Sequence, residues 1–281
     1  MPGPDRLRES ALSLPVPACP RVIPEVKNND LSSHKKIYFA SDAHFGLSGP
    51  GKSLPREKLF AGWLESIREE AGGIYLLGDI FDFWFEYSKV VPGGYTRVLG
   101  KIAEITDSGT PVHFFTGNHD LWTFGYLARE TGMIIHKNSY QTEIYGKKFY
   151  LAHGDGLDEN DRGFRVMKKI FTNPALQWLF ARFHPNFSMW LGHKWSHKSR
   201  YSKELIIPFQ GADKEEHMIF ANRLLEKEHH DFFIFGHRHL PFDKTLNNGT
   251  SRCINLGDWL WHFSYAVFDG EKLELKHYSD Q

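Results

Sequence analysis

An α/β fold is predicted by three observations. Short apolar runs lack the strict polar alternation of half-exposed strands, amphipathic stretches separate the first of them, and each run ends in a cluster of Asp, His or Asn. Taken in order, KIYFAS (36–41), GIYLLG (73–78), PVHFFTG (111–117), KFYLAHG (148–154) and DFFIFGH (231–237) read as strands covered on both faces. REKLFAGWLESIREEA (56–71) and YTRVLGKIAEITDSG (95–109) fill the first two gaps. Both carry apolar residues three and four apart and stop at glycine, as helices do. Residues 157–230 carry no clear strand signal and are too long for an ordinary connection, so a helical insertion or lid is expected there. SRCINLG, SYAVFDG and KLELKHY follow as expected hairpin strands, with Asp269-Gly270 as a turn. The result is sheets sandwiched by helices, without internal repeats.

Composition narrows the function. A chain of 281 residues buries a substantial core, and its 34 basic and 34 acidic side chains cancel, so no overall field favours nucleic acid. Aromatic residues make up 15%, which directs attention to an apolar ligand or a membrane surface. Two cysteines, Cys19 and Cys253, cannot build a disulfide framework, and a reducing compartment is the simpler inference. No stretch reaches the roughly 20 apolar residues of a membrane span, so a soluble or peripheral protein is expected. Residues 1–34 are broken by prolines at 2, 4, 15, 17, 20 and 24 and are expected to be a disordered leader. ALSLPVPA within it imitates an export signal only faintly, because proline interrupts its apolar core. The folded domain is expected over 35–281.

The strand ends carry the chemistry. They read Asp42-Ala43-His44, Gly78-Asp79-Ile80-Phe81-Asp82, Gly117-Asn118-His119-Asp120, His153-Gly154-Asp155 and Gly236-His237-Arg238-His239. One polar terminus is an ordinary turn with a satisfied histidine; five in succession are not. Sites in open α/β sheets lie beyond the carboxyl ends of strands. Oxygen and nitrogen donors without thiolate suit borderline divalent ions such as Mn²⁺, Zn²⁺ or Fe²⁺. Gly78, Gly117, Gly154 and Gly236 would let backbone pass close to an occupied centre.

In order and completely, these blocks resemble the calcineurin-like metallophosphoesterase superfamily, over about residues 36–270. The resemblance implies a four-layer αββα sandwich and a centre of two divalent ions. It implies Asp42, His44, Asp79 and His239 at one ion, and Asp79, Asn118, His153 and His237 at the other, with Asp79 shared. His119 matches the histidine that acts near the leaving oxygen, and Asp120 beside it is carried as a second catalytic candidate. Two dications about 4 Å apart repel strongly unless carboxylates surround them, which fits aspartates at 42 and 79. Asp82, Asp120 and Asp155 are candidates for orienting imidazoles or water.

The insertion bears on the substrate. From Arg162 to Lys203 it has nine basic residues and no Asp or Glu, interleaved with aromatics such as Phe171, Trp178, Phe187, Trp190 and Trp195. The plain reading is a lid whose aromatics pack on the sandwich; the sharper one is a surface for an anionic head with acyl tails. LLGDIFDFWFEY, HGDGLDENDRGF and the stretch ending HKSRYSK resemble the UDP-2,3-diacylglucosamine pyrophosphatases of lipid A synthesis, especially the Bacteroidetes-type members. This likeness implies Mn²⁺ as the expected ion, attack on the α-phosphorus, release of UMP and 2,3-diacylglucosamine 1-phosphate, and peripheral work at the inner face of the cytoplasmic membrane. It implies Asp161 near the glucosamine and Lys198 or Arg200 near a phosphate; Arg165, Trp190 and Trp195 complete the expected substrate contacts. The chain has His119 where the well-known enzymes have arginine, and the two are not equivalent at a phosphate. Two alternatives stand beside this: a two-metal phosphodiesterase or phosphatase acting on a nucleotide, nucleic acid or phosphoprotein, and a non-catalytic lipid- or protein-binding scaffold.

Overall fold

Parallel pairing organises the first half of the chain. Strand β1 (Lys36–Ala40), helix α1 (Ser53–Ile67), β2 (Ala71–Leu76), α2 (Thr96–Asp107), β3 (Val112–Phe115), α3 (Tyr126–Thr131) and β4 (Ile134–His136) alternate, and β1 to β4 pair parallel in chain order. The computed structural model describes residues 35–47, 53–157, 162–203 and 208–279. The expected leader and Asp161 lie outside the described residues. So do the side chains of Trp195, Lys198 and Arg200.

Strands β5 (Tyr140–Ile144) and β6 (Lys147–Leu151) form a hairpin that opens the second sheet. Four helices follow: α4 (Arg162–Thr172), α5 (Pro174–Phe180), α6 (Pro185–Lys203) and α7 (Glu216–Leu225). Then come β7 (Phe232–Phe235), β8 (Phe242–Thr245), β9 (Arg252–Asn255), β10 (Ser264–Phe268) and β11 (Leu273–His277). The six-stranded sheet runs β11-β10-β1-β2-β3-β4 and the five-stranded sheet runs β5-β6-β7-β9-β8.

Period-two alternation along the strands builds the layers. On β1, Ile37 and Phe39 enter a core shared with Phe149, Leu151, Phe232 and Ile234 of the second sheet, while Tyr38 and Ala40 face Phe60, Trp63 and Val98 of α1 and α2. Met218 and Ala221 of α7 cover the far face of the second sheet against Tyr150, Phe233 and Cys253. The order is therefore helix, sheet, sheet, helix. Phe39 stacks on Phe149 at 5.9 Å between the sheets, and truncating either ring to alanine costs about 3–5 kcal/mol.

Three expectations are revised. Helix α1 ends at Ile67 rather than near residue 71, because Ala71 already pairs with Lys36 in the sheet. Of the three expected closing strands only β10 and β11 form a hairpin; β9 joins the other sheet between β7 and β8. Of the helices between β6 and β7, α7 belongs to the sandwich itself, leaving α4 to α6 as the added part.

Candidate metal centre

Both sheets point the carboxyl ends of their parallel strands at one place. The chain after β1 runs beside the chain after β2: Asp42 N–H donates to Gly78 O at 3.0 Å and His44 N–H to Asp79 O at 2.9 Å. The second sheet meets them where His237 N–H donates to Asp42 Oδ2 at 2.9 Å. Close approach demands glycine here. A Cβ on Gly117 would lie 2.2 Å from Asp79 Oδ1, and one on Gly236 would lie 2.4 Å from Asp42 Oδ2. Asp42, His44, Asp79, His237 and His239 all sit at positive φ, a conformation that side chains beyond glycine rarely hold. Such strain persists where surrounding structure over-determines it, and it clusters at functional sites.

Three groups of donors result: His44 with Asp82 and His119, and two that match the expected ions. Asp42, His44 and His239 converge on one side, and Asp79, His153 and His237 on the other, each with donor atoms within 4.8 Å of one another. His44 Nε2 is 3.3 Å from His239 Nε2 and 3.6 Å from Asp42 Oδ1, while His239 Nε2 is 3.5 Å from Asp42 Oδ1. Bonds of about 2.0–2.2 Å to a common ion set neighbouring donors roughly 3.0–3.6 Å apart. Asp42 Oδ1 is buried without a hydrogen-bond partner, and burial pushes its carboxyl above the usual range. An orphaned buried carboxylate oxygen between two imidazole nitrogens fits a bound cation.

Asp79 lies between the groups. Its Oδ2 is 3.3 Å from His153 Nε2 and 3.8 Å from His44 Nε2, and its Oδ1 accepts His119 N–H at 2.9 Å. Burial raises its carboxyl, but the fields of His153 and His119 outweigh that and hold it well below the ordinary value. His153 Nδ1 donates to Leu77 O at 2.7 Å, which turns Nε2 toward Asp79 and to within 3.3 Å of Asn118 Oδ1. A carbonyl fixing the outer nitrogen of an imidazole is the usual way a ligand histidine is oriented.

His119 borders the centre. Its Nδ1 donates to the carbonyl of Asp82 at 2.9 Å, and its Nε2 lies 3.9 Å from Asp79 Oδ2. A carbonyl only accepts, so the proton sits on Nδ1 in the neutral ring. Asp120, expected to be catalytic, is buried beneath the loops: its oxygens take the N–H groups of Gly117 at 2.7 Å and Ile80 at 2.8 Å. Burial and nearby Asp79 push its carboxyl up to about 7. Its geometry is that of a brace rather than of a group that meets substrate. Asp155 pairs with Lys168 of α4 at 2.9 Å. Arg165 and Trp190 are exposed on α4 and α6.

Sequence reasoning missed Asp258 and His217. Asp258 Oδ1 accepts the N–H groups of Leu260, Trp261 and His262, and its Oδ2 faces His239 Nδ1 at 3.3 Å. Asp in a loop before WLWHF reads as a turn residue, and only the fold brings it 19 residues back to His239. His217 of α7 lies 3.3 Å from Gly154 O and 3.2 Å from Asn255 Nδ2, and burial pushes its imidazole down to about 3. It props the loop that follows His153 directly and, through Asn255, reaches Gly236 O before His237.

Comparison with known proteins places the chain in a family. The calcineurin-like phosphoesterase family model matches residues 35–241. A UDP-2,3-diacylglucosamine hydrolase of Porphyromonas gingivalis is 43% identical over 258 residues, spanning 87% of this chain and 98% of that protein. One from Edwardsiella ictaluri is 28% identical over 246 residues, spanning 84% of this chain and 90% of its own. Among solved structures, the Yfce phosphoesterase of E. coli aligns over 86% of this chain and 92% of its own, at 16% identity and a TM-score of 0.42. With the family pattern running through most of the two-sheet domain, the chain belongs to the calcineurin-like phosphoesterases.

Proposed function

We propose that the centre holds two divalent cations, Mn²⁺ by preference, and hydrolyses the pyrophosphate of UDP-2,3-diacylglucosamine to UMP and 2,3-diacylglucosamine 1-phosphate. The observation that carries this is a pair of donor groups joined through Asp79, in a chain that spans nearly all of a 43% identical relative bearing that substrate in its name. Asp42, His44, Asp79 and His239 hold one ion; Asp79, Asn118, His153 and His237 hold the other. When bound, such a pair supplies Lewis acidity that activates water near neutral pH and offsets charge on the phosphoryl oxygens.

The chain's own residues do the rest. His119, with Nδ1 fixed on Asp82 O, presents Nε2 to the leaving oxygen and donates a proton there when the ring is charged. Asp120 keeps the 78–81 and 117–120 loops in register so that His119 and Asp79 stay together.

The added helices suit the acyl end of the substrate and the inner face of the cytoplasmic membrane. No described helix is long and apolar enough to cross a membrane. Trp178 is 60% exposed with Arg182 over its ring, and Trp190 is 54% exposed beside Lys194. Each such cation contributes about 1 kcal/mol at an anionic surface, and each buried methylene of an acyl chain about 0.8 kcal/mol. Acyl contact therefore dominates affinity and charge sets orientation.

The test is direct. The Mn²⁺-loaded protein is incubated with UDP-2,3-diacylglucosamine in detergent, and UMP release in step with acylated sugar phosphate is expected. Vigorous cleavage of soluble phosphodiesters with no UMP would remove the lipid substrate from consideration.

A further inference from the structure

Asp82 joins two parts of the molecule that hydrolysis does not require to touch: the proposed ligand His44 and the added helix α6. Its side chain is wholly buried. Oδ1 accepts a hydrogen bond from Ser196 Oγ at 2.6 Å, and Oδ2 lies 3.1 Å from His193 Nδ1. The same Oδ1 stands 3.9 Å from His44 Nδ1, within ion-pair range though beyond a hydrogen bond. Three residues apart on α6, His193 and Ser196 share one helical face. That face is pressed close, since a Cβ on Gly192 would come within 2.4 Å of the Phe83 ring. A carboxylate taken out of water is stable only when donors or cations face it, and two of these partners come from α6.

We propose that Asp82, His193 and Ser196 form a clasp through which the seating of α6 and the filling of the His44 side of the metal centre stabilise each other. All three are positioning residues. With α6 docked, its donors hold the carboxylate near the outer nitrogen of His44, which keeps the ring turned with Nε2 toward Asp42 and His239. With α6 lifted, Asp82 loses two of its partners, and the neighbour of His44 is held less firmly. Linkage of this kind is reciprocal: whatever factor the docked helix adds to ion affinity, the ion returns to helix docking. Docking of α6 is thereby favoured on a loaded centre over an empty one.

Two measurements on the full chain test the clasp. Amide hydrogen exchange over residues 188–196 is followed with and without Mn²⁺, and Mn²⁺ affinity is determined by equilibrium titration. Loading is expected to slow exchange in α6 by about five- to tenfold, and Ser196→Ala is expected to weaken Mn²⁺ binding by a similar factor while abolishing that slowing. Ser196→Thr, which retains the hydroxyl, should restore both. Should Ser196→Ala fold poorly, His193→Ala removes the other partner and is expected to move both readouts the same way. Exchange in wild-type α6 that ignores Mn²⁺, or variants whose α6 loosens while ion affinity stays put, would overturn the clasp. Neither readout involves a substrate, so the clasp and the proposed reaction stand or fall separately.

Discussion

His119 and Asp258 serve the centre by different means, and substitution separates them. His119→Gln keeps a donor near the Asp82 carbonyl but removes the imidazole proposed to move a proton. A fall in kcat of about 10²- to 10⁴-fold is expected, with metal content by elemental analysis unchanged; a near-normal kcat would assign the proton to another donor. Asp258→Asn retains the oxygen that caps the N–H groups of Trp261 and His262 but removes the charge facing His239 Nδ1. Loss of such an orienting carboxylate costs about 10- to 100-fold in metal affinity, readable by titration, whereas His119→Gln should leave that affinity alone. Asp258 is held well below the ordinary carboxylate range: burial raises it, and His239 and His262 more than compensate. The charge is thus present throughout the neutral range.

At the scale of elements, α5 and α6 divide their aromatic residues between two tasks. Phe180 packs inward, with its ring 5.4 Å from Trp122 and 5.0 Å from Phe85, and Trp122 Nε1 donates to Phe171 O at 2.8 Å. These contacts fix the added helices to the chain that follows Asp120. Trp178, Phe187 and Trp190 remain largely exposed. Replacing those three with serine is expected to raise KM for the acylated substrate at least tenfold while leaving cleavage of a small aryl phosphodiester within about twofold. Equal losses on both substrates would place the damage in folding or in the centre. The short elements α3, β4, β5 and β8 were not legible in the sequence. β4 has only three residues, Ile-Ile-His, and β5 alternates Tyr, Gln, Thr, Glu and Ile at a sheet edge. Their pairing partners, not their own propensities, make them strands.

Across the whole molecule, His113 marks a seam between the sheets. Its ring stacks on Tyr75 at 4.3 Å, its Nδ1 lies 2.9 Å from His136 Nε2, and Tyr140 of the second sheet stacks beside it. Burial pushes His113 down to about 4, and burial lowers His136 as well. Both are neutral in the fold, while unfolded histidine titrates near 6.5. The unfolded chain therefore binds more protons below that value, so this stability is complete above about pH 6.5 and is lost as pH falls toward 4. The loss is on the order of 3 kcal/mol for His113. Denaturant midpoints at pH 7.5 and 5 should fall further in the wild type than in His113→Gln; equal falls would locate the acid sensitivity elsewhere.

The sequence by itself determined the strands of the central sheets, the helices between the first of them, and the residue types offered at five strand ends. Those signals are local: apolar runs, helical spacing, and Asp, His and Asn set against glycine. Tertiary structure alone decided that Asp42 Oδ1 faces two imidazoles from opposite sheets, that Asp258 meets His239, and that His193 and Ser196 reach Asp82 over more than a hundred residues of chain. Such partners leave no trace in spacing. The sheet-end partners are brought together by two sheets packed face to face, and the partners of Asp82 by the seating of α6 on the loop after β2.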